Sequence, residues 1–542
     1  MIHERIHRID IGWQDLFKPI QGLKTAPEND PLINQIAIRK ETLPIILVPG
    51  IMGSRLKQAA GGDKVWDPDA KGFMLIKYGR IFITPEDRKK YLIGDTIYSD
   101  GFLVVDPDNA EVPEPGRDRG WGTVAWQHYG SLLGALAGHE WPATLDVCFD
   151  LPVYAFGYNW TDSSHASGRA LADYIDRVID EQGRIQPCRQ VILVTHSMGG
   201  LVARSACKLH GAESKVLGVL HGAQPAFGAP AAYQRIKHGF RELDGSLWDW
   251  LCHPIRKISD TLTERVLGDE GPEVTLLMAH MPGGLELLPT RAYRTNEGRA
   301  EWLHYRGRHG HSLDLPRRGD PYDEIYGAKE APFRLIDPRW LGEKTSRKNS
   351  RHTSEDKSAW HNFSFNLNKA KVFHENLGNY AHPETYQFYG TALETPDRIE
   401  IGCQKFSGRQ LFDLQHLEGK HFFEFRDAHN QVIDTDRDMY LDDPAAFEIP
   451  NRWHTESIWA YAVSPPTGSG DGTVPDASGR ALAARPSFYD KGPDGTVSID
   501  ADDENDHART HDRIFNTATA RHITIKVIEN LCKAKIRHET GA

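Results

Sequence analysis

Ser197 lies within Val191-Ile-Leu-Val-Thr-His-Ser-Met-Gly-Gly-Leu-Val-Ala-Arg204, where four apolar residues lead into a tight turn and then an apolar helical run. A serine hydroxyl is a weak nucleophile at neutral pH. It becomes reactive when a base takes its proton and a third group orients that base. At the tip of a strand–turn–helix the hydroxyl is lifted clear of the sheet. Amides at the helix N-terminus then face any negative charge that develops beside it. The stretch therefore makes Ser197 the candidate nucleophile for acyl transfer. Thr195 stands where a first glycine is usual, so a branched side chain must fit a crowded corner. That departure favours the alternative of a catalytically silent binding protein on the same scaffold.

For a serine on such an elbow, the acid and then the base follow along the chain. Asp471, between Gly470 and Gly472, is the candidate acid, because glycine on both sides lets the backbone turn sharply. Asp476 is the second choice. His511, just before Ile514-Phe515 where a final helix begins, is the candidate base. His507, at the end of the acidic run Asp500–Asp506, is the alternative base. His522 lies inside the helical pattern and reads as a packing or surface residue, and His196 as a fixed part of the elbow. Acyl transfer also needs donors for the tetrahedral oxyanion. The Met198 N–H, next after the nucleophile, is one. The Ile51 N–H is the other, on the loop after Leu43-Pro-Ile-Ile-Leu-Val48 where Gly50 bends the chain.

The elements that must position these groups follow from periodicity. Apolar runs at 43–48, 151–156, 191–194, 215–220, 385–389 and 496–499 read as strands. Helical patterns cover 126–136, 166–182, 200–209 and 513–532. Strands alternating with helices at this spacing predict an α/β fold with a mainly parallel sheet and helices on both faces. Residues 1–40 read as an N-terminal extension with one short helix. Residues 41–227 and 381–542 read as the core, with excursions at 60–120 and 395–465. Residues 228–380 break the rhythm and read as a large inserted helical cap or lid.

Composition narrows the function. The chain has 542 residues, 39% hydrophobic and 26% charged, with a net charge of −11. A globular chain is expected, and the charge argues against a nucleic-acid partner. No apolar run approaches the length of a membrane span, and the first residues lack the apolar core of a secretory signal. The six cysteines are scattered, read as free thiols, and show no metal-ligand spacing. The run Asp434-Thr-Asp-Arg-Asp438 resembles half of a calcium loop. It lacks the glycine at the sixth position and the glutamate at the twelfth, and reads as a solvated acidic turn. The Asp500–Asp506 run leaves calcium open; no metal and no cofactor is predicted.

With these residues in hand, the chain resembles the lecithin:cholesterol acyltransferase group of α/β-hydrolase lipases and the neighbouring GPI inositol-deacylase type. The resemblance rests on Leu43–Leu56, Trp66, Phe156-Gly-Tyr-Asn-Trp160, Val191–Arg204, Tyr389–Pro396 and Gly470-Asp-Gly-Thr-Val-Pro475. It implies an α/β-hydrolase fold and a serine ester hydrolase, a lipase or phospholipase releasing fatty acid through an acyl-enzyme. The family's acid and base carry over to Asp471 and His511, and its oxyanion loop to Ile51. Acyl transfer to an alcohol other than water uses the same residues and stays open. The chain is also similar in build to antibacterial lipase toxins exported by type VI secretion. That likeness implies synthesis in a bacterial cytoplasm without a signal peptide and delivery to a target-cell periplasm. It further implies action on phospholipid at a membrane surface and a cognate immunity protein.

Overall fold

The computed structural model describes residues 5–25, 32–70, 73–74, 85–93, 102–109, 111–238, 271–341, 357–391, 393–407, 422–427, 429–433, 457–463, 468–482, 497–499 and 511–541. Among these residues the central sheet contains six strands. They are β1 (Ile45–Val48), β2 (Val153–Ala155), β3 (Val191–His196), β4 (Val216–Gly222), β5 (Thr385–Gly390) and β6 (Val497–Ile499). Their spatial order is β2-β1-β3-β4-β5-β6, and every neighbouring pair is parallel.

A parallel sheet is covered on both faces, so its strands read as unbroken apolar runs. Every residue of β1 and β3 is buried. Alternate side chains feed two separate cores. Ile46, Val48 and Leu193 pack with Leu171, Ile175 and Val202 on one face, while Ile45, Leu47, Ile192 and Val194 join Tyr129, Leu133, Ile523 and Val527 on the other. Each fully buried leucine or isoleucine stabilises the fold by about 1.5–3 kcal/mol.

The flanking helices are α1 (Trp126–Ala137), α2 (Ser164–Gly183), α3 (Gly199–Leu209), α4 (Pro230–His238), α5 (Lys357–Leu377) and α6 (Ala518–Thr540). The last starts later than its periodicity predicts. Residues Ile514–Asn516 form a 3-10 turn, and Thr517 then caps the helix by accepting from the Ala520 amide at 3.1 Å.

Chain order along the sheet reverses between β1 and β3. Loops leaving the carboxyl ends of those two strands diverge and open a crevice, the place where sheets of this kind bind ligands. The loop Pro49–Ser54 and the turn at Ser197 both start there.

Two expectations are corrected. Residues 228–380 are not a helical cap closed on itself, and 395–465 is not an excursion of the core. Strands Leu303–Arg306 and Ser312–Leu315 join Ile399–Ser407, Phe422–Arg426, Val432–Ile433 and Ser457–Val463 in a second six-stranded sheet of mixed direction. The joint is the parallel pairing of Leu303 with Ile399 and Tyr305 with Ile401. Pairing between segments this far apart leaves no local signature. Trp302, Tyr305, Tyr326, Phe363 and Tyr461 fill this layer's own core. At the N-terminus the one short helix expected is the 3-10 helix Trp13–Phe17, and two strands that were not expected, Arg5–Gly12 and Leu32–Arg39, pair in parallel on either side of it in the chain.

Candidate active site

The turn after β3 holds Ser197 at φ 51°, a left-handed conformation that a residue with a side chain keeps only under constraint. The constraint is visible. The Ser197 N–H donates to the Gly222 carbonyl at the end of β4, at 2.9 Å. Helix α3 begins so close to β1 that a Cβ on Gly199 would sit 2.4 Å from the Val48 and Pro49 carbonyl oxygens. Thr195, the departure noted in the sequence, is fully buried. Its hydroxyl lies 2.7 Å from His221 Nδ1, so the larger side chain has a polar partner.

Three distant residues meet at the carboxyl edge of the sheet. His511 Nε2 lies 2.7 Å from Ser197 Oγ, and His511 Nδ1 lies 2.7 Å from Asp471 Oδ2. The carboxylate accepts at Nδ1–H, which leaves Nε2 free to accept the serine proton. Asp471 is itself held: its Oδ1 accepts from the Thr473 and Val474 amides at 3.0 and 2.7 Å. Its carbonyl accepts the His511 N–H at 3.0 Å, so acid and base are tied through backbone as well as side chain. Gly390, the last residue of β5, lies so near that a Cβ there would be 2.7 Å from that of Asp471.

The Met198 and Ile51 amides have no hydrogen-bond partner among the described residues. The loop carrying Ile51 is braced by three side chains from two segments. Trp66 Nε1 donates to the Met52 carbonyl at 2.9 Å, Tyr158 Oη to Pro49 at 3.0 Å and Trp160 Nε1 to Ser54 at 3.3 Å. All three belong to the motifs that carried the resemblance.

His196 links this loop to the base. Burial pushes its imidazole well below the usual range, so it is neutral. Its Nε2 lies 2.7 Å from the His511 carbonyl, which only accepts, so Nε2 carries the proton. Nδ1 is then an acceptor, and the Tyr129 hydroxyl at 2.7 Å donates to it. The Tyr129 oxygen in turn accepts the Gly50 N–H at 3.0 Å. Tyr129→Phe removes both bonds and strands a buried amide beside the proposed oxyanion donor. The expected result is a kcat for a short acyl ester lowered by roughly 10-fold with KM nearly unchanged, as lost buried hydrogen bonds of this kind cost about 1–3 kcal/mol. A kcat equal to wild type would show that the loop holds its position without this network.

Beside Ser197 and His511 opens a cleft walled by Ile51, Pro225, Ile236, Met278, Leu287 and Val474, among others. Two further polar residues line it, Arg235 and Thr473. Neither was singled out in the sequence. Arg235 sits at the i+3 position from Ala232 on α4 and reads there as an ordinary helical charge. Of the other sequence candidates, Asp476 opens a short helix, Asp476–Gly479, and accepts from the Ser469 hydroxyl at 3.3 Å. His522 lies on α6. His507, the Asp434–Asp438 run and the Asp500–Asp506 run lie outside the described residues. Within the described residues, no three His, Cys, Asp or Glu side chains gather as a metal-binding group.

A model of the alpha/beta hydrolase family matches residues 116–354, a span that includes the Ser197 elbow. No curated protein matches the chain. Among solved structures, a chain of the Tle4–Tli4 complex is 24% identical and superposes with a TM-score of 0.65, covering 91% of this chain and 99% of that one. The mature Bacillus licheniformis lipase BlEst2 is 17% identical over 42% of this chain and 56% of its own, with a TM-score of 0.18. Phospholipase PlaB from Legionella pneumophila is 9% identical over 78% and 81%, with a TM-score of 0.19. At these scores the last two say nothing about the fold. The first, with the six-stranded parallel sheet, shows an α/β-hydrolase fold.

Proposed function

We propose that this protein is a serine ester hydrolase that releases fatty acid from phospholipid. One observation carries the reading: the unbroken series of two 2.7 Å contacts from Ser197 through His511 to Asp471, at the edge of an apolar cleft. Ser197 Oγ attacks the ester carbonyl as its proton passes to His511 Nε2. The Ile51 and Met198 amides hold the oxyanion. His511 returns the proton to the departing alcohol, leaving the acyl group on Ser197. Water, deprotonated by the same imidazole, then frees the fatty acid and restores the serine. Asp471 holds the imidazole in the tautomer that both steps need.

The same proposal extends to setting. A lipase of the lecithin:cholesterol acyltransferase-like build acts as an antibacterial toxin, made in a bacterial cytoplasm, active in a target-cell periplasm and restrained by a cognate immunity protein. The likeness in fold to a chain solved within a two-protein complex supports the partner. One experiment tests both levels. Expression with a periplasmic leader is expected to raise free fatty acid in the membranes and stop growth, whereas cytosolic expression does neither. Growth arrest without fatty-acid release would remove the lipase reading. Fatty-acid release with equal harm from both compartments would remove the toxin reading alone.

A further inference from the structure

The cleft contains a cation that no hydrogen bond or ion pair engages among the described residues. Arg235 is only 6% exposed, lines the same cavity as Ser197 and His511, and has no hydrogen bond or ion pair among the described residues. Its Nε is sealed from solvent without a partner. Burial pushes its guanidinium down to about 9, still above neutrality, so the group is a cation at pH 7. The carboxylate that acts on it through space is Asp471. Both Asp471 oxygens are already engaged, by His511 and by the Thr473 and Val474 amides. Thr473 repeats the pattern: it is 7% exposed, lines the cleft, and its Oγ1 is buried without a partner.

A buried charge left unpaired is strongly destabilising, so buried charges are ordinarily paired, and one facing a cleft invites a partner of opposite charge. The apolar walls around these two donors suit an acyl chain, while a guanidinium and a hydroxyl suit an anionic oxygen. In a glycerophospholipid the phosphodiester lies only a few bonds from the ester carbonyl. A carbonyl held at Ser197 thus brings the phosphate into the same cleft.

We infer that Arg235 and Thr473 form an anion subsite that receives the phosphodiester of the substrate and makes this site select phospholipids over neutral glycerides. The inference rests on the serine ester hydrolase reading above and adds the residues that recognise the phosphodiester. Arg235 supplies a forked, charge-assisted pair of donors, and Thr473 a single one from the opposite loop.

The test compares dioctanoyl phosphatidylcholine with dioctanoylglycerol in the same neutral detergent micelles, so that surface charge is matched. Wild type is expected to favour the phospholipid in kcat/KM. In Arg235→Met that preference falls at least ~30-fold, the scale of a lost charge-assisted contact, while Arg235→Lys restores part of it. In Thr473→Val, which leaves the backbone amide on Asp471, it falls ~5-fold. The melting temperature of Arg235→Met is expected to match or exceed wild type, because an unpaired buried charge has been removed. A preference unchanged in both variants overturns the subsite and leaves the hydrolase reading intact. So does a wild type that favours dioctanoylglycerol. Absence of hydrolysis of either ester by wild type overturns both.

Discussion

Ser197→Ala lowers kcat/KM for a short acyl ester by ~10⁴- to 10⁶-fold, the range seen when a nucleophile is removed from a triad whose other parts stay in place. Only Oγ is lost. Alanine meets the same left-handed backbone as serine, the turn keeps its bond to the Gly222 carbonyl, and β3 and α3 stay buried on either side. The Ile51 and Met198 amides, without partners among the described residues, remain, so residual binding survives while the covalent step does not. Steady-state rates together with labelling by a fluorophosphonate check this. Wild type labels, the variant does not, and its melting temperature stays within a few degrees. Hydrolysis at a wild-type rate would move the nucleophile away from residue 197, whereas a wild type that neither hydrolyses the ester nor labels would favour the silent-scaffold alternative.

Asp471→Asn costs ~10⁴-fold in kcat through a tautomer, not through geometry. Asp471 Oδ1 accepts two backbone amides and Oδ2 faces His511 Nδ1. An asparagine can keep its oxygen on the two amides, which turns its NH₂ toward His511. A donor there forces the imidazole proton onto Nε2, where it can no longer accept from Ser197. The flipped amide would set NH₂ against two N–H donors, leaving buried groups unpaired at about 1–3 kcal/mol each. The first arrangement therefore prevails: the fold is kept and the base is disabled. Measurement of kcat against pH, with denaturant unfolding as a control, checks it. A loss below ~10-fold would mean that another group orients the base.

How much of this was legible in the chain depends on the range of each signal. The elbow was legible because its evidence is local: a buried apolar strand, a tight turn and an apolar helix within fourteen residues. The parallel sheet followed from alternation, and the structure adds the strand order that brings the Ser197 turn beside the Ile51 loop. Choosing between His511 and His507 was beyond the sequence, since both precede the final helix. The structure sets His511 on Ser197 and does not describe His507. The second sheet was missed because the pairing that joins its two parts, Leu303 with Ile399, links segments nearly a hundred residues apart.

Residue type and order alone determined which groups in this protein are candidates for reactive chemistry and which strands bury their backbone, because strained turns and apolar runs are written into neighbouring residues. Tertiary structure alone decided how those groups are completed. It routes a hydrogen-bonded line from Gly50 through Tyr129 and His196 to His511. It also leaves Arg235 and Thr473 facing one apolar cleft without hydrogen-bond partners among the described residues. The reason is physical. A side chain's protonation, pairing and desolvation depend on atoms brought to it from remote parts of the chain, and no stretch of sequence records which atoms those will be.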